Sequence, residues 1–285
     1  MRSAGRAGLI GALCLLCACA LGAREGKRDR NGTPAAAEAA GQGKGNDAAA
    51  GEKGFRARGD RGAMPAEEPA PASAPAIVIG FVGGFVSHEN QVHSPVQLAA
   101  RLRQAYPSGV YVEVFENHRR QEAYRKILEI LDVARTGKVS EDEKRAARII
   151  IYGISWGGSE TVTLARELEE QKIPVLLTVQ VDSVGKIGQN DGAIPGNVAE
   201  AANFYQSDGL LHGRYEIRAE DAARTRILGN FRYQYKAQSL SCEGYPWYDR
   251  VLTKYHTEIE CDPAVWLRVE GLIRGKLPPA ERNAP

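Results

Sequence analysis

Cysteine is scarce in this chain and unevenly placed. Of five in 285 residues, Cys14, Cys17 and Cys19 crowd the N-terminus, and only Cys242 and Cys261 lie further on. From residue 76 onward there is no Cys-x-x-Cys, so a zinc or dithiol redox site has no sequence support there. Neither sign of charge dominates: 37 Lys and Arg stand against 35 Asp and Glu, a net +2. That balance makes no case for a nucleic-acid partner, and no basic block interleaved with aromatics is present to supply one. The apolar run at residues 9–18 is too short for a comfortable membrane span. The first strong apolar segment, ending at Gly83-Gly84, is followed by neither Gly-x-x-x-x-Gly-Lys-Ser/Thr nor a full Gly-x-Gly-x-x-Gly, which disfavours a phosphate cradle. Large apolar residues are almost missing from residues 21–75, so that stretch cannot bury enough surface to offset its ordering entropy.

What is present at the N-terminus reads as an export signal over residues 1–20. Arg2 and Arg6 form a basic n-region ahead of the short apolar run. Leu16-Cys17-Ala18-Cys19 resembles a bacterial lipobox, in which Cys19 carries the lipid; the alternative is ordinary cleavage after Ala18-Cys19-Ala20. The expectation is an exported chain: periplasmic, a membrane-anchored lipoprotein, or secreted. Residues 21–75 then serve as a low-complexity tether. Arg58-Gly59-Asp60 within it reads as a chance match in a Gly-, Arg- and Asp-rich stretch. In an exported chain, the isolated pair Cys242 and Cys261 is expected to form a disulfide.

Residues 76–285 have the composition of one well-cored domain. Ala76 to Val82 is an apolar run bounded by Pro75 and Gly83-Gly84. Residues 95–106 follow with helical spacing, Ser94 as expected N-cap and Pro95 at the first helical position. Residues 110–115 alternate as a strand, and 121–134 carry one apolar helical face. A strand at 148–153, a helix at 159–171 and a strand at 175–181 complete the pattern. Residues 183–197 read as a long loop, 198–205 as a short helix, 225–235 as a strand, and Asp262-Pro263 opens a closing helix. The alternation predicts an α/β fold with a mainly parallel sheet and helices on both faces. In such sheets ligands bind beyond the carboxyl ends of the strands. Gly83-Gly84, Ser155 and Asp182 all fall at such ends.

One of these ends carries the most informative motif. A β-branched run enters Gly153-Ile154-Ser155-Trp156-Gly157 and a helical segment follows at once, which is the sequence form of a nucleophile elbow. A serine hydroxyl needs a base within hydrogen-bond reach to act as a nucleophile. A sharp strand-to-helix turn lifts Ser155 above the sheet, and the flanking glycines leave room for it. The Trp156 N–H would face a developing oxyanion at the helix N-terminus.

With the elbow, the order Ser155, Asp182, His256 along the chain, and His256-Thr257-Glu258-Ile259 running into a terminal helix, the sequence resembles the α/β-hydrolase superfamily, and within it bacterial lipase- or esterase-like members. The resemblance covers about residues 76–277. It implies an α/β-hydrolase fold and a serine hydrolase acting on a small-molecule or lipid ester without metal or cofactor. Ser155 is then the nucleophile, His256 the base and Asp182 the acid, with Asp208 and Asp249 as reserves. The chain departs from the commonest pattern, which puts the acid after a later strand. It also lacks the His-Gly that many relatives show after the first strand, so the expected oxyanion donors are Trp156 and the backbone of Gly84 or Phe85. His88, His93 and His118 precede the serine and are expected at most to line the pocket. Tyr245, Trp247, Tyr248 and Tyr255 flank His256 and either line an acyl pocket or pack the loop. Thioester or amide hydrolysis uses the same three groups. A non-catalytic, surface-tethered binding module on the same scaffold is the reading from a different class.

Overall fold

Ala76–Val82 is buried at every position and forms β1 in the computed structural model, which describes residues 74–280. The expected export signal, Cys19 and nearly all of the expected tether lie outside the described residues. Four other segments join β1 in one sheet beside β2, Val110–Glu116: β3, Ile149–Ile154; β4, Val175–Val181; β6, Val198–Gln206; and β8, Arg226–Tyr233. The order is β2-β1-β3-β4-β6-β8 and every pairing is parallel. Near-continuous Ile and Val in β1 and β3 is what a strand covered on both faces requires.

Helices supply the cover. On one face lie α1, Ser94–Ala105, and α7, Pro263–Arg274, the last helix among the described residues. Leu98 and Leu102 of α1 pack with Val265, Trp266 and Val269 of α7 onto Val78, Ile150 and Tyr152. On the other face, Ile127 and Leu131 of α2 (Arg120–Leu131) pack with Val162 and Leu168 of α4 (Trp156–Glu170) onto Ile77, Ile79, Ile149 and Ile151. Strand residues therefore alternate between two cores. Truncating one such isoleucine to alanine costs about 2–5 kcal/mol. Three short helices complete the set among the described residues: α3 (Glu141–Arg145), α5 (Trp247–Leu252) and α6 (Lys254–Cys261). A two-stranded ribbon pairs β5, Ala193–Ile194, with β7, Arg218–Ala219.

The expected fold class holds: one α/β domain with helices on both faces of a six-stranded sheet that is parallel throughout. Three local expectations change. Residues 198–205 form strand β6 rather than a helix. The alanines favour a helix in isolation, but the segment fills the slot between β4 and β8 and is buried along most of its length. The N-cap of α1 is His93, one residue before the expected Ser94, and it makes no side-chain cap bond. Finally, α2 stops at Leu131 because the Asp132 carboxylate turns to accept from Thr136 N and Gly137 N in the following loop.

Register fixes what meets at the carboxyl edge. Val82 pairs with Glu116, Phe81 with Gly153, and Ile154 with Val181. The next residue out from each strand places Gly83, Asn117, Ser155 and Asp182 side by side. The chain crosses from β2 back over β1 to β3, so this row spans the switch point where a crevice opens in such sheets.

Candidate active site

Ser155 occupies the turn between β3 and α4 with φ 56° and ψ −127°, a region that L-residues rarely enter. Glycines make the turn possible. A Cβ on Gly153 would sit 2.3 Å from the Gly157 carbonyl oxygen, and one on Gly157 would sit 2.6 Å from that of Phe81. The turn is held by Ser155 N donating to Val181 O at 3.0 Å and by Val184 N donating to Ser155 O at 3.0 Å. Helix α4 starts at the next residue, and the Trp156 N–H has no acceptor among the described residues.

Asp182 stands at the end of β4 with φ 41° and is fully buried. Its Oδ1 accepts from Gln206 N at 3.1 Å and Gly213 N at 2.8 Å; its Oδ2 accepts from Gln206 Nε2 at 3.0 Å. Its fourth partner is His256, whose Nδ1 lies 2.6 Å from Oδ2. His256 is 8% exposed and comes from α6. Burial pulls its pKa down, but the hydrogen bond and charge of Asp182, with Glu260 and Asp249 behind, outweigh that, and the net shift is upward from 6.5. Burial raises the Asp249 carboxyl, with Glu260 adding to the effect.

Ser155 and Asp182 thus end adjacent strands, and Asp182 orients His256. No hydrogen bond joins Ser155 to His256 among the described residues. In unliganded sites such a contact is often loose and tightens with substrate.

The other predicted residues take distinct places. Gly84 has φ 47°, in a turn closed by Val86 N donating to Gly83 O at 3.2 Å. Neither the Gly84 nor the Phe85 N–H has an acceptor among the described residues. Phe85 is 77% exposed, and its ring meets Trp156 edge-on at 5.7 Å. Asp208 is a backbone anchor that accepts from Tyr235 N at 2.5 Å, and no hydrogen bond joins it or Asp249 to His256 among the described residues. His88 Nδ1 meets Glu116 Oε1 at 2.6 Å; burial opposes ionisation of Glu116, but its bonds from His88 prevail and bring its pKa down to about 2. His93 pairs with Glu260 at 2.7 Å and lies edge-on to Tyr245 at 5.0 Å. Of the aromatic cluster, Tyr245 is buried and Trp247 is exposed, so the two do not line a common wall. Cys242 and Cys261 form a disulfide with Cα atoms 5.7 Å apart, closing the segment that carries His256.

Sequence reasoning missed Gln206, Gly213 and Asn117. Gln206 and Asn117 each sit at or just past the carboxyl end of a strand, which is the one signal that could have singled them out. Among the described residues no His, Cys, Asp and Glu are grouped as metal ligands, and no helix is long and apolar enough to cross a membrane.

No protein-family model and no curated protein matches the chain. Solved structures with a similar course include an arylesterase, at 12% identity, 72% of this chain, 76% of that one and a TM-score of 0.42. Another is dienelactone hydrolase from Anabaena variabilis, at 15% identity, 73% and 89% coverage and a TM-score of 0.35. A third is Est1E from Butyrivibrio proteoclasticus, at 12% identity, 72% and 89% coverage and a TM-score of 0.34. What this site can do follows from its own geometry.

Proposed function

We propose that the chain is a serine hydrolase that cleaves carboxylic esters through an acyl-enzyme. The observation that carries this reading is the pairing of an elbow serine at φ 56° with a buried Asp182–His256 hydrogen bond of 2.6 Å beside it. In the first step Ser155 Oγ attacks the ester carbonyl carbon and its proton passes to His256 Nε2. Asp182 holds Nδ1 as the protonated nitrogen, leaving Nε2 free to accept, and it stabilises the imidazolium. The negative charge on the carbonyl oxygen meets the free amides of Trp156 and of Gly84 or Phe85. Collapse expels the alkoxide, which takes the proton from Nε2. Water then repeats the sequence on the acyl-serine, releasing the acid and restoring Ser155. None of these steps calls for a cofactor.

Thioesters and amides react by the same steps, and choice among them rests with leaving-group contacts. The Cys242–Cys261 bond supports the further proposal that the chain works in an oxidising compartment, as export through residues 1–20, with or without lipid on Cys19, would provide.

A binding module on the same scaffold is the second reading, favoured by the missing Ser155–His256 bond. One experiment separates the two. Hydrolysis of p-nitrophenyl esters of graded chain length, and labelling by a fluorophosphonate probe, are expected in the wild type and are expected to vanish in Ser155→Ala. Turnover at the wild-type rate in that variant, or none in the wild type, refutes the enzymatic reading.

A further inference from the structure

One buried side chain at the carboxyl edge is left unused by the chemistry above. Asn117 follows β2 directly and is 4% exposed. Its Nδ2 donates to the carbonyl oxygen of Gly84 at 2.5 Å. Gly84 lies in the turn after β1, one residue from the point of closest approach to the nucleophile. A Cβ on Gly83 would stand 2.7 Å from Ser155 Cβ and 3.4 Å from Ser155 Oγ.

The peptide that joins Gly84 to Phe85 is a rigid plane in which C=O and N–H point in opposite directions. A bond that captures the Gly84 oxygen therefore also sets the heading of the Phe85 N–H. That amide has no acceptor among the described residues. The same strand end ties the turn down a second time, since Glu116 Oε1 accepts from His88 N at 3.2 Å.

Asn117 is itself gripped. Lys186, in the loop after β4, donates from Nζ to the Asn117 carbonyl oxygen at 3.2 Å and to Glu160 Oε1 at 2.6 Å. Glu160, 1% exposed on α4, also accepts from Arg120 through Oε2 at 2.5 Å and from Gln189 Nε2 at 3.1 Å. A buried carboxylate with three donors does not shift cheaply. The chain Glu160–Lys186–Asn117–Gly84 thus runs from the nucleophile's helix, through the loop that follows the acid, to the turn after β1.

We propose that Asn117 is the positioning residue of the oxyanion hole, fixing the Gly84–Phe85 peptide so that the Phe85 N–H faces the charge that builds on the substrate oxygen at Ser155. The inference rests on the ester-hydrolase reading and adds to it the device that pre-orients the second donor. Pre-orientation matters because a donor that must turn during the reaction gives up much of its benefit.

The test compares wild type, Asn117→Leu, Lys186→Met and Ser155→Ala on a p-nitrophenyl ester, with a trifluoromethyl ketone as transition-state analogue and thermal melts alongside. Removing an oxyanion donor outright costs about 10²–10³ in kcat, and a donor left in place but unaimed loses less. Asn117→Leu is expected to lower kcat about 10- to 100-fold with KM within about threefold. Its Ki for the ketone rises by the factor by which kcat/KM falls. Lys186→Met, at a partly exposed position, shows the same pattern at smaller amplitude, and it carries the test where Asn117→Leu does not fold. Wild-type kcat and Ki in the variants overturn the proposal. So does a loss of kcat that follows a lowered melting temperature with Ki unchanged. Should the wild type show no Ser155-dependent turnover, the ester-hydrolase reading falls and this inference with it; should it turn over normally while the variants match it, only the inference falls.

Discussion

Replacing Asp182 with asparagine keeps the shape of the side chain and removes one acceptor, and the surrounding bonds dictate where the loss falls. The Oδ1 position faces two backbone donors, Gln206 N and Gly213 N. Neither can turn away, so the asparagine oxygen must stay there. Its NH₂ then occupies the Oδ2 position, facing Gln206 Nε2 and His256 Nδ1. The Gln206 amide resists flipping, because Nε2 also donates to Leu211 O at 2.9 Å and Oε1 accepts from Asp208 N at 2.8 Å. Gln206 Nε2 loses its bond to this position and keeps the one to Leu211 O, and His256 must accommodate the rest of the change. Its Nδ1 must become the acceptor, which moves the proton to Nε2, the nitrogen that has to take the serine proton.

The expected result for Asp182→Asn is a fall in kcat of about 10⁴, equivalent to about 5.5 kcal/mol of barrier at 1.36 kcal/mol per decade. The two backbone bonds survive, and neutralising a buried carboxylate removes a desolvation cost. The folded state should therefore persist, with far-ultraviolet circular dichroism unchanged. The assay is burst-titrated p-nitrophenyl ester turnover, so that only folded, competent sites are counted. A kcat within tenfold of wild type would refute the tautomer argument and leave Asp182 as a structural anchor of the loop over β6.

The upward shift of the His256 pKa predicts that the acid limb of kcat/KM lies above pH 6.5, and that Glu260→Gln moves it to lower pH; a limb at or below 6.5 in the wild type counts against the assignment. By linkage, a folded-state pKa raised above its unfolded value adds stability that is full below pH 6.5 and is lost as pH rises through the folded value, so chemical denaturation of wild type minus His256→Gln should narrow on the alkaline side. Ser155→Gly removes a side chain from φ 56°; relief of about 1–3 kcal/mol of strain against about 0.5–1 kcal/mol of glycine entropy predicts a net gain near 1 kcal/mol, a rise of about 2–4 °C in Tm, with activity abolished. An unchanged or lower Tm would mean that the elbow stores no strain. Removing the disulfide by Cys242→Ser with Cys261→Ser, which are 19 residues apart, should cost about 3 kcal/mol, seen as a Tm lowered by roughly 6–12 °C. A wild-type melt indifferent to reductant, with both thiols alkylating at once, would show that the bond does not form in solution.

The parts legible in the sequence were those that a local pattern encodes. The elbow at Ser155 announces itself because a strained turn demands small neighbours within two residues, and Asp182 does so because a charged residue ending the run Val175–Val181 can only lie at the sheet edge. His256 was reached by chain order, yet its contact with Asp182 spans 74 positions and depends on where α6 lands. Strand β6 reads as a helix from its alanines alone, while its pairing with β4 and β8 is a property of the assembled sheet. Asn117, Gln206 and Gly213 were invisible for a related reason. No local motif assigns them a role, and their partners are chosen by register: Val82 opposite Glu116 brings Asn117 to the turn after β1, and Val181 opposite Phe204 brings Gln206 to the acid. A slip of one residue in either pairing would reverse the faces of the strand and separate these contacts. The hydrophobic pattern that builds the two cores therefore also sets the site. Substitutions deep in β1 or β4 that loosen register should damage turnover before they unfold the domain.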